Sequence, residues 1–378
     1  MIPLILIGLY ATSTAMTLAM CYKLSTALGR FRMKQMATPA RTLAELPSVS
    51  VCIPARNETH AMTRCLESVI ASTYPKLEII VLDDSSNDNT SFLIKSFAHA
   101  GVRFVEGSQL PNGWLGKNHA LQELSQEASG QYVLFVDVDT QLEPETISQL
   151  VAYVAQEQAD MISVLPQRAD GLRLSVLLST LRYYWELLFH IQKAPATASA
   201  AWMIRRSVLR DELSGFYLHR LQVQPENQLA ARLFKDDRYR FLISTRLLGV
   251  NYEKKLSSQY ETSIRLLYPR FGGRPLFAAA ALLLLMVLWS PVGFLVSGLW
   301  FGWTALQVIA AWQLVLYMSL YGLFAFTTRR HYWWVSILLW PVVITQEIVL
   351  FIVSLVKYAT GTVTWKGRPV QSPKAMRT

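Results

Sequence analysis

Residues 275–328 run for 54 positions without an Asp, Glu, Lys or Arg. A helix needs about 20 apolar residues to cross the hydrocarbon core of a bilayer, so this block has room for two crossings. It predicts helices over 276–296 and 299–326, joined by a turn at Ser297–Gly298. Residues 1–22 are also uncharged, and Ile2–Met20 reads as a further spanning helix. The basic residues Lys23, Arg30, Arg32, Lys34 and Arg41 follow that helix. A cleaved signal would carry them in front. The positive-inside rule then puts the segment after the first helix in the cytoplasm, and Arg329, Arg330 and His331 bring the chain back to that side. A last apolar run, 333–356, is interrupted by Pro341 and by Gln346–Glu347. Three full C-terminal crossings would strand Lys357, Lys366, Arg368, Lys374 and Arg377 on the far side, against the charge rule. A re-entrant or interfacial segment broken at Pro341 removes that conflict. Both topologies stand at this point, and Glu347 is either a functional group within the membrane or a solvated one at its face.

The charge balance narrows the class further. The 378 residues carry 36 Lys and Arg against 26 Asp and Glu, a net charge of +10, and 16% are charged. An average soluble domain has about 25%, so a wholly soluble or a disordered chain is excluded. The basic excess lies largely beside the apolar segments, where anionic lipid accounts for it. No aromatic-interleaved basic stripe accompanies it, so no nucleic-acid partner is expected. Cys21, Cys52 and Cys65 show neither disulfide nor metal spacing. The expected divisions are an anchor at 1–22, a basic linker at 23–46, a soluble domain at 47–270, transmembrane helices at 275–356 and a basic tail at 357–378.

Within 47–270 short β-branched runs alternate with helical patterns. Strands are predicted at 48–53, 77–82, 102–105, 131–136 and 160–165, with helices at 59–72, 89–99, 118–128 and 144–158. That alternation predicts an α/β domain with a parallel, doubly wound sheet, in which ligands bind beyond the carboxyl ends of the strands. Both acidic clusters fall at such ends: Asp83-Asp84-Ser85-Ser86-Asn87-Asp88 after the second strand and Asp137-Val138-Asp139 after the fourth. Paired carboxylates at an exposed strand end suit Mg2+ or Mn2+, which in turn bridge phosphate oxygens. Aspartates also cap helices and turns. Lys117 between the clusters offers a point charge to a diphosphate.

Taken together, Pro54-Ala55-Arg56-Asn57-Glu58, the 83–90 segment DDSSNDNT, the 113–120 segment GWLGKNHA, FVDVDT at 135–140, Ser163-Val164-Leu165-Pro166 and Val363-Thr364-Trp365-Lys366-Gly367-Arg368 resemble the family 2 glycosyltransferases. Within that family they are most similar to its membrane-bound carotenoid- and hopanoid-associated branch. The resemblance implies a GT-A (Rossmann-like) fold and inverting transfer of a hexose, glucose in the first instance, from a UDP-sugar. The implied setting is a multi-pass cell-membrane protein with its catalytic domain cytoplasmic, acting on a lipid-soluble acceptor such as an apocarotenoid acid. By the same resemblance, Pro54, Ala55, Arg56, Glu58 and Asp84 contact uridine and ribose, with Asp83 beside them and Lys117 approaching the nucleotide-sugar. Asp137 is placed on the ribose or donor sugar and Asp139 on the metal, while Trp365, Lys366 and Arg368 are candidates for closing over the site.

Two departures from the family pattern matter. Ser85 stands where glycine is common, so the backbone must manage a glycine-like turn with a side chain. Many members carry a Glu-Asp pair two residues before Leu-Ala, its Asp being the catalytic base. Here the stretch is Gln224-Pro225-Glu226-Asn227-Gln228-Leu229-Ala230, with Glu226 at the Asp position and Pro225 at the Glu position. Ser214-Gly215 likewise replaces a frequent Gly-Gly pair. Either Glu226 removes the proton of an alcohol acceptor, or the acceptor is a carboxylic acid, ionised at neutral pH with a reference pKa near 4, and needs no base. Glu226 also fits a plain first-turn helix acid after Pro225. Residues 172–191, apolar and aromatic with sparse charge, suit an interfacial helix forming a lipid entrance or a buried core helix. Alternative acceptors are a glycerolipid, a hopanoid or a polyprenyl phosphate, and the alternative class is a non-catalytic membrane scaffold that kept the fold.

Overall fold

The computed structural model describes residues 2–31, 45–169, 171–191, 195–302, 304–329 and 331–370. Arg32, Lys34, Arg41, Arg330, Lys374 and Arg377, whose charges entered the topology argument, lie outside the described residues.

After α1 (Ile2–Phe31), the chain alternates β1 (Val49–Ala55), α2 (Thr59–Ile70), β2 (Leu77–Asp83), α3 (Thr90–Ser96), β3 (Val102–Glu106), α4 (Gly116–Glu127) and β4 (Tyr132–Val136). These strands form a parallel half-sheet in the order β3-β2-β1-β4. Next come β5 (Thr140–Leu142), α5 (Thr146–Gln156), β6 (Met161–Leu165), β7 (Gln167–Arg168), α6 (Leu174–Leu177), α7 (Arg182–Phe189), β8 (Ala201–Arg205), α8 (Pro225–Phe234), β9 (Tyr239–Ile243) and β10 (Val250–Tyr252).

The large sheet continues from β4 through β8, β6 and β9. It is mixed: β8 runs antiparallel to both neighbours, with Met203 opposite Leu134 and Ile162. This corrects the expectation of a wholly parallel sheet. After β6 the chain stays on the side of the strand ends, where Arg168, Arg182 and Ser199 line clefts. A strand entering the sheet from that side can only run against its neighbours. A small sheet, β5-β10-β7, lies beside these ends.

Side chains alternate across the strands, so each face carries its own core. Val49, Val51, Ile53, Val81 and Leu134 pack on Met62, Leu66 and Leu150 of α2 and α5. On the opposite face Cys52, Ile80, Val133 and Phe135 join Leu121, Trp202 and Leu229. That second core continues without a break into Leu24, Tyr184, Tyr321 and Trp340 of the apolar helices, so the sheet and the helical bundle are packed as one body.

The C-terminal part contains α9 (Leu256–Arg270), α10 (Pro275–Phe301), α11 (Thr304–Thr328), α12 (Trp333–Leu338), α13 (Trp340–Thr360), β11 (Thr364–Trp365) and β12 (Arg368–Pro369). Among the described residues, Pro275–Trp300, Thr304–Thr328 and Trp340–Thr360 are long and apolar enough to cross a membrane. The turn between the first two falls at Gly302, with φ of 66°, rather than at Ser297–Gly298. A Cβ on Gly298 would collide with Gln307, so Gly298 marks a close approach of α10 to α11 within a continuous helix. The last run does break before Pro341, which follows Trp340 in the first turn of α13, where its missing N–H is harmless. Residues 172–191 form two short helices instead of one. Of these α7 is buried, with Tyr184 against Tyr321, Phe324 and Trp340.

Helix α13 lies along α9. Tyr260 Oη donates to Gln346 at 2.7 Å, Ser354 Oγ to the Ile264 carbonyl at 2.6 Å and Tyr358 Oη to the Arg265 carbonyl at 2.8 Å. Glu347 is buried, accepting from Trp185 Nε1 at 2.9 Å and the Leu181 N–H at 3.3 Å.

Candidate functional site

The ends of β1, β2 and β4 open into a polar cleft. It is lined by Pro54, Ala55, Arg56, Glu58, Asp84, Lys117, Asp137, Asp139, Trp365 and Lys366, ten of the residues singled out above. Two loops are laced together at its floor. The Asp84 N–H donates to the Ala55 carbonyl at 2.8 Å, the Asn57 N–H to Ser86 Oγ at 2.9 Å and the Glu58 N–H to Thr90 Oγ1 at 2.8 Å. Ser85 adopts φ of 53° and Asn57 φ of 52°, so the glycine-like turn is made with a side chain in place, at a conformational cost of roughly 1–2 kcal/mol. Arg56 donates to the carbonyls of Asp84 and Ser85.

Asp83 does not line the cleft. Its carboxylate accepts from the hydroxyls of Ser86 and Ser91, which makes it a brace for the loop.

On the other wall, Lys117 at the start of α4 meets Asp137 at 2.5 Å, and Lys254, just after β10, meets Asp139 at 3.0 Å. Burial alone would lower the Lys254 pKa, but Asp139, Tyr252 and Asp137 outweigh it and raise that pKa above the ordinary lysine value. Of the five carboxylates lining the cleft, Asp137 and Asp139 stand together on this wall, and among the described residues no group of three His, Cys, Asp or Glu could hold a metal ion. The donor set therefore fits a hard divalent cation that keeps water and takes its remaining ligands from a bound diphosphate.

The hairpin β11–β12 closes the cleft from above. Its two-residue turn, Lys366–Gly367, has φ of 49° and 78°, the left-handed pair that a tight hairpin requires. Lys366 pairs with Glu58 at 2.9 Å, and one Arg368 nitrogen contacts both Asp84 carboxylate oxygens at 2.8 and 2.7 Å. Trp365 lies against the Arg265 guanidinium, 5.1 Å from ring centre. Gly116 lies directly beneath this contact, where a Cβ would crowd the end of the Arg368 side chain and Asp84. Burial pushes the Asp84 and Glu58 carboxyls above their usual values, even though Arg368 and Lys366 act to lower them.

Glu226 sits in the first turn of α8, 3% exposed, with Oε1 bonded to nothing among the described residues. Burial raises its pKa, against the pull of Lys117 and Arg182. It does not line the cleft.

The sequence reading missed Lys254, Arg182, Arg265 and Ser199, all of which line the cleft. Only Lys254 left a trace, as part of a Glu-Lys-Lys run following Val250-Asn251-Tyr252.

The sequence model described as Glycosyl transferase family 2 matches residues 50–213. Over 121 residues the chain is 31% identical to the 4,4'-diaponeurosporenoate glycosyltransferase of Staphylococcus haemolyticus, covering 32% of each protein. Over 91 residues it is 31% identical to the UDP-Glc:alpha-D-GlcNAc-diphosphoundecaprenol beta-1,3-glucosyltransferase WfgD of Escherichia coli, 24% of this chain and 34% of that one. The chain thus spans about a third of the length of these two relatives. The fold matches the mannosyltransferase PcManGT of Pyrobaculum calidifontis, solved with GDP-Man and Mn2+, at a TM-score of 0.58 and 18% identity over 94% of this chain and 98% of that one. Residues 50–213 are therefore a family 2 glycosyltransferase domain, carried on a GT-A fold that runs on into apolar helices.

Proposed function

We propose that this chain is an inverting glycosyltransferase that moves a hexose, glucose in the first instance, from a UDP-sugar to a membrane-lipid acceptor, an apocarotenoid acid being the best fit. The observation that carries the reading is the cleft in which Asp84, Lys117, Asp137 and Asp139 meet at the strand ends, in a sheet whose core continues into helices apolar enough for a bilayer. The two relatives are named for a carotenoid acid and for UDP-glucose.

In this reading Pro54, Ala55, Arg56 and Asp84 seat uridine and ribose. Asp137 holds the ribose or the sugar. Lys117 and Lys254, each now held by an aspartate, turn to the diphosphate as the sugar leaves. A Mg2+ or Mn2+ ion held by Asp139, with Asp137 beside it, would supply further electrostatic stabilisation of the departing diphosphate. Asp84 is engaged by Arg368, so the β11–β12 hairpin must release it when the nucleotide arrives, and Trp365, Lys366 and Arg368 act as a gate.

Glu226 does not line the donor cleft, although Lys117, Arg182 and Asp137 of that cleft act on its charge, and this favours an acceptor that brings its own negative charge. Its oxygen attacks the anomeric carbon as the bond to the diphosphate breaks. The electron pair leaves with UDP, and no proton is transferred.

The acceptor arrives from lipid. An apolar groove of about 740 Å3, walled by Trp185, Phe189, Phe271, Phe277, Leu284 and Phe351, opens among α7, α9, α10 and α13 and suits an acyl or polyene chain. We place α10 and α11 as an out-and-back pair across the cell membrane. The apolar exposed face of α13 (Val342, Val349, Ile352, Val356) then lies at the bilayer, and the hairpin after it lies with the catalytic domain on the cytoplasmic side. That placement resolves the charge conflict of the C-terminus.

The test is to incubate membranes bearing the chain with labelled UDP-glucose and identify the labelled lipid by mass spectrometry. Asp137→Ala should abolish labelling. Labelling that survives Asp137→Ala, or none with the wild type, rejects the reading.

A further inference from the structure

Beyond the Asp137–Asp139 pair, on the side away from the nucleotide loops, lies a second, smaller cavity of about 50 Å3. It shares Asp137, Asp139, Arg182 and Lys254 with the donor cleft, so the two meet across the acidic pair. Its other walls come from β7, from the segment joining α6 to α7, and from the end of α11. The last of these supplies Arg329, which bridges to Arg168 through the backbone.

The cavity is strongly cationic. Arg168, Arg182, Arg329 and Lys254 line it, while its two carboxylates are already engaged by Lys117 and Lys254. Arg329 is 3% exposed. Its Nη2 donates to Ser179 Oγ and Tyr321 Oη, both at 2.7 Å, whereas Nη1 is buried with no hydrogen-bond partner among the described residues. Arg182 is placed similarly: one nitrogen donates to Ser199 Oγ at 3.1 Å while its buried Nε has no partner among the described residues. A buried charged donor left unsatisfied costs free energy. Two of them lining one small cavity describe a site completed by an anion. Arginine suits this task because its planar donors match the oxygens of a carboxylate or phosphate.

The location adds the second half of the argument. Arg329 directly follows α11, one of the helices apolar enough to cross a membrane. The chain segments bordering the cavity expose Leu172, Leu174 and Phe326, so an apolar chain has lipid-like surface to lie on. The larger apolar groove shares no lining residue with the donor cleft, so it stores a chain without presenting a headgroup to the sugar.

We propose that this cavity seats the acidic headgroup of the acceptor, a carboxylate or phosphate on an apolar chain, with Arg329 and Arg182 as its specificity-determining residues. The proposal rests on the transferase reading for the word acceptor, but the binding site is testable without it. The headgroup oxygen then lies across the acidic pair from the donor, and bond formation to the anomeric carbon displaces UDP without a proton being moved.

The experiment uses the full chain in lipid nanodiscs. Binding of retinoic acid, a polyene carboxylic acid, and of its methyl ester is followed by quenching of tryptophan fluorescence, a polyprenyl monophosphate serves as competitor, and UDP binding is measured by calorimetry. The wild type should prefer the acid over the ester by about tenfold or more, the scale of one charge-assisted hydrogen bond. Arg329→Gln should abolish that preference with UDP affinity intact, and Arg329→Lys should restore part of it. Displacement of the acid by the phosphate would identify a phosphate headgroup as a second ligand of the same site. Equal affinity for acid and ester in the wild type, or an undiminished preference in Arg329→Gln, overturns the proposal. So does a loss of UDP affinity in Arg329→Gln, which would give the cavity to the donor phosphates. An acid bound through Arg329 but never glycosylated from UDP-glucose leaves the site standing and rejects the transferase reading instead.

Discussion

Replacing Arg368 by alanine removes the contact that occupies Asp84, the residue expected to receive the nucleotide. One guanidinium nitrogen lies 2.8 and 2.7 Å from the two carboxylate oxygens, and the Asp84 side chain is only 6% exposed. A hydrogen bond to a charged group contributes about 1.5–3 kcal/mol. The arginine side chain is still 21% exposed, which argues for the lower end, about 1.5 kcal/mol, after solvent screening. An incoming nucleotide that needs Asp84 must first break this contact, so its absence should tighten UDP binding by about tenfold, since 1.4 kcal/mol is one decade. Calorimetric titration of UDP into wild type, Arg368→Ala and Arg368→Lys measures it directly, with the lysine variant expected between the other two. Release of UDP from UDP-glucose without acceptor should rise in parallel at subsaturating donor. Unchanged or weaker UDP binding in Arg368→Ala would refute the gate, for it would mean that Arg368 grips the donor instead of holding its place.

Four further outcomes follow from the geometry. Burial raises the Glu226 pKa, so between the ordinary glutamate value and that raised value the native state holds more protons than the unfolded one, and stability falls as pH rises through this window. Glu226→Gln removes the effect: its melting temperature relative to wild type should climb from pH 4 upward and then level off, and a gap that shrinks with rising pH contradicts it. The same variant should keep near-wild-type transfer to a carboxylate acceptor, and complete loss would make Glu226 the base. Trp202, stacked on Phe135 at 4.4 Å and fully enclosed, should cost about 3–5 kcal/mol when cut to alanine, seen as a much lower thermal midpoint. Ser85→Gly should stabilise by about 0.5–1 kcal/mol by relieving the left-handed backbone, and a lower midpoint would show that the serine side chain earns its place.

The parallel half of the sheet was legible because each strand is a short apolar run stopped by acidic or turn residues: Leu77–Asp83 ends in Asp84, and Tyr132–Val136 ends in Asp137. Those same stops are the site, so strand ends and candidate ligands were found together. Ala201–Arg205 was not legible, since an alanine-rich approach hides its start and both its edges are paired. The cations were harder still. Arg182, Arg265 and Lys254 come from three separate elements that only the folded chain brings to one cleft. Asp83 shows the converse: it sits in the right motif, yet the fold spends its carboxylate on two serine hydroxyls. Gly298 misled for a related reason, because a glycine that permits close helix contact reads in sequence like one that turns the chain.

The β11–β12 hairpin also orders events in time. The donor cleft draws Pro54 from the first strand of the large sheet and Lys366 from the turn that follows the last apolar helix. A nascent chain therefore has its sheet, its acidic pair and Lys117 long before it has Trp365, Lys366 and Arg368. Until α13 has settled along α9, Asp84 has no arginine from the hairpin and the cleft has no roof. Completion of the cleft is in this way tied to docking of the C-terminal helices, and a defect in that docking would register as an open, unroofed cleft on a sheet that is otherwise folded.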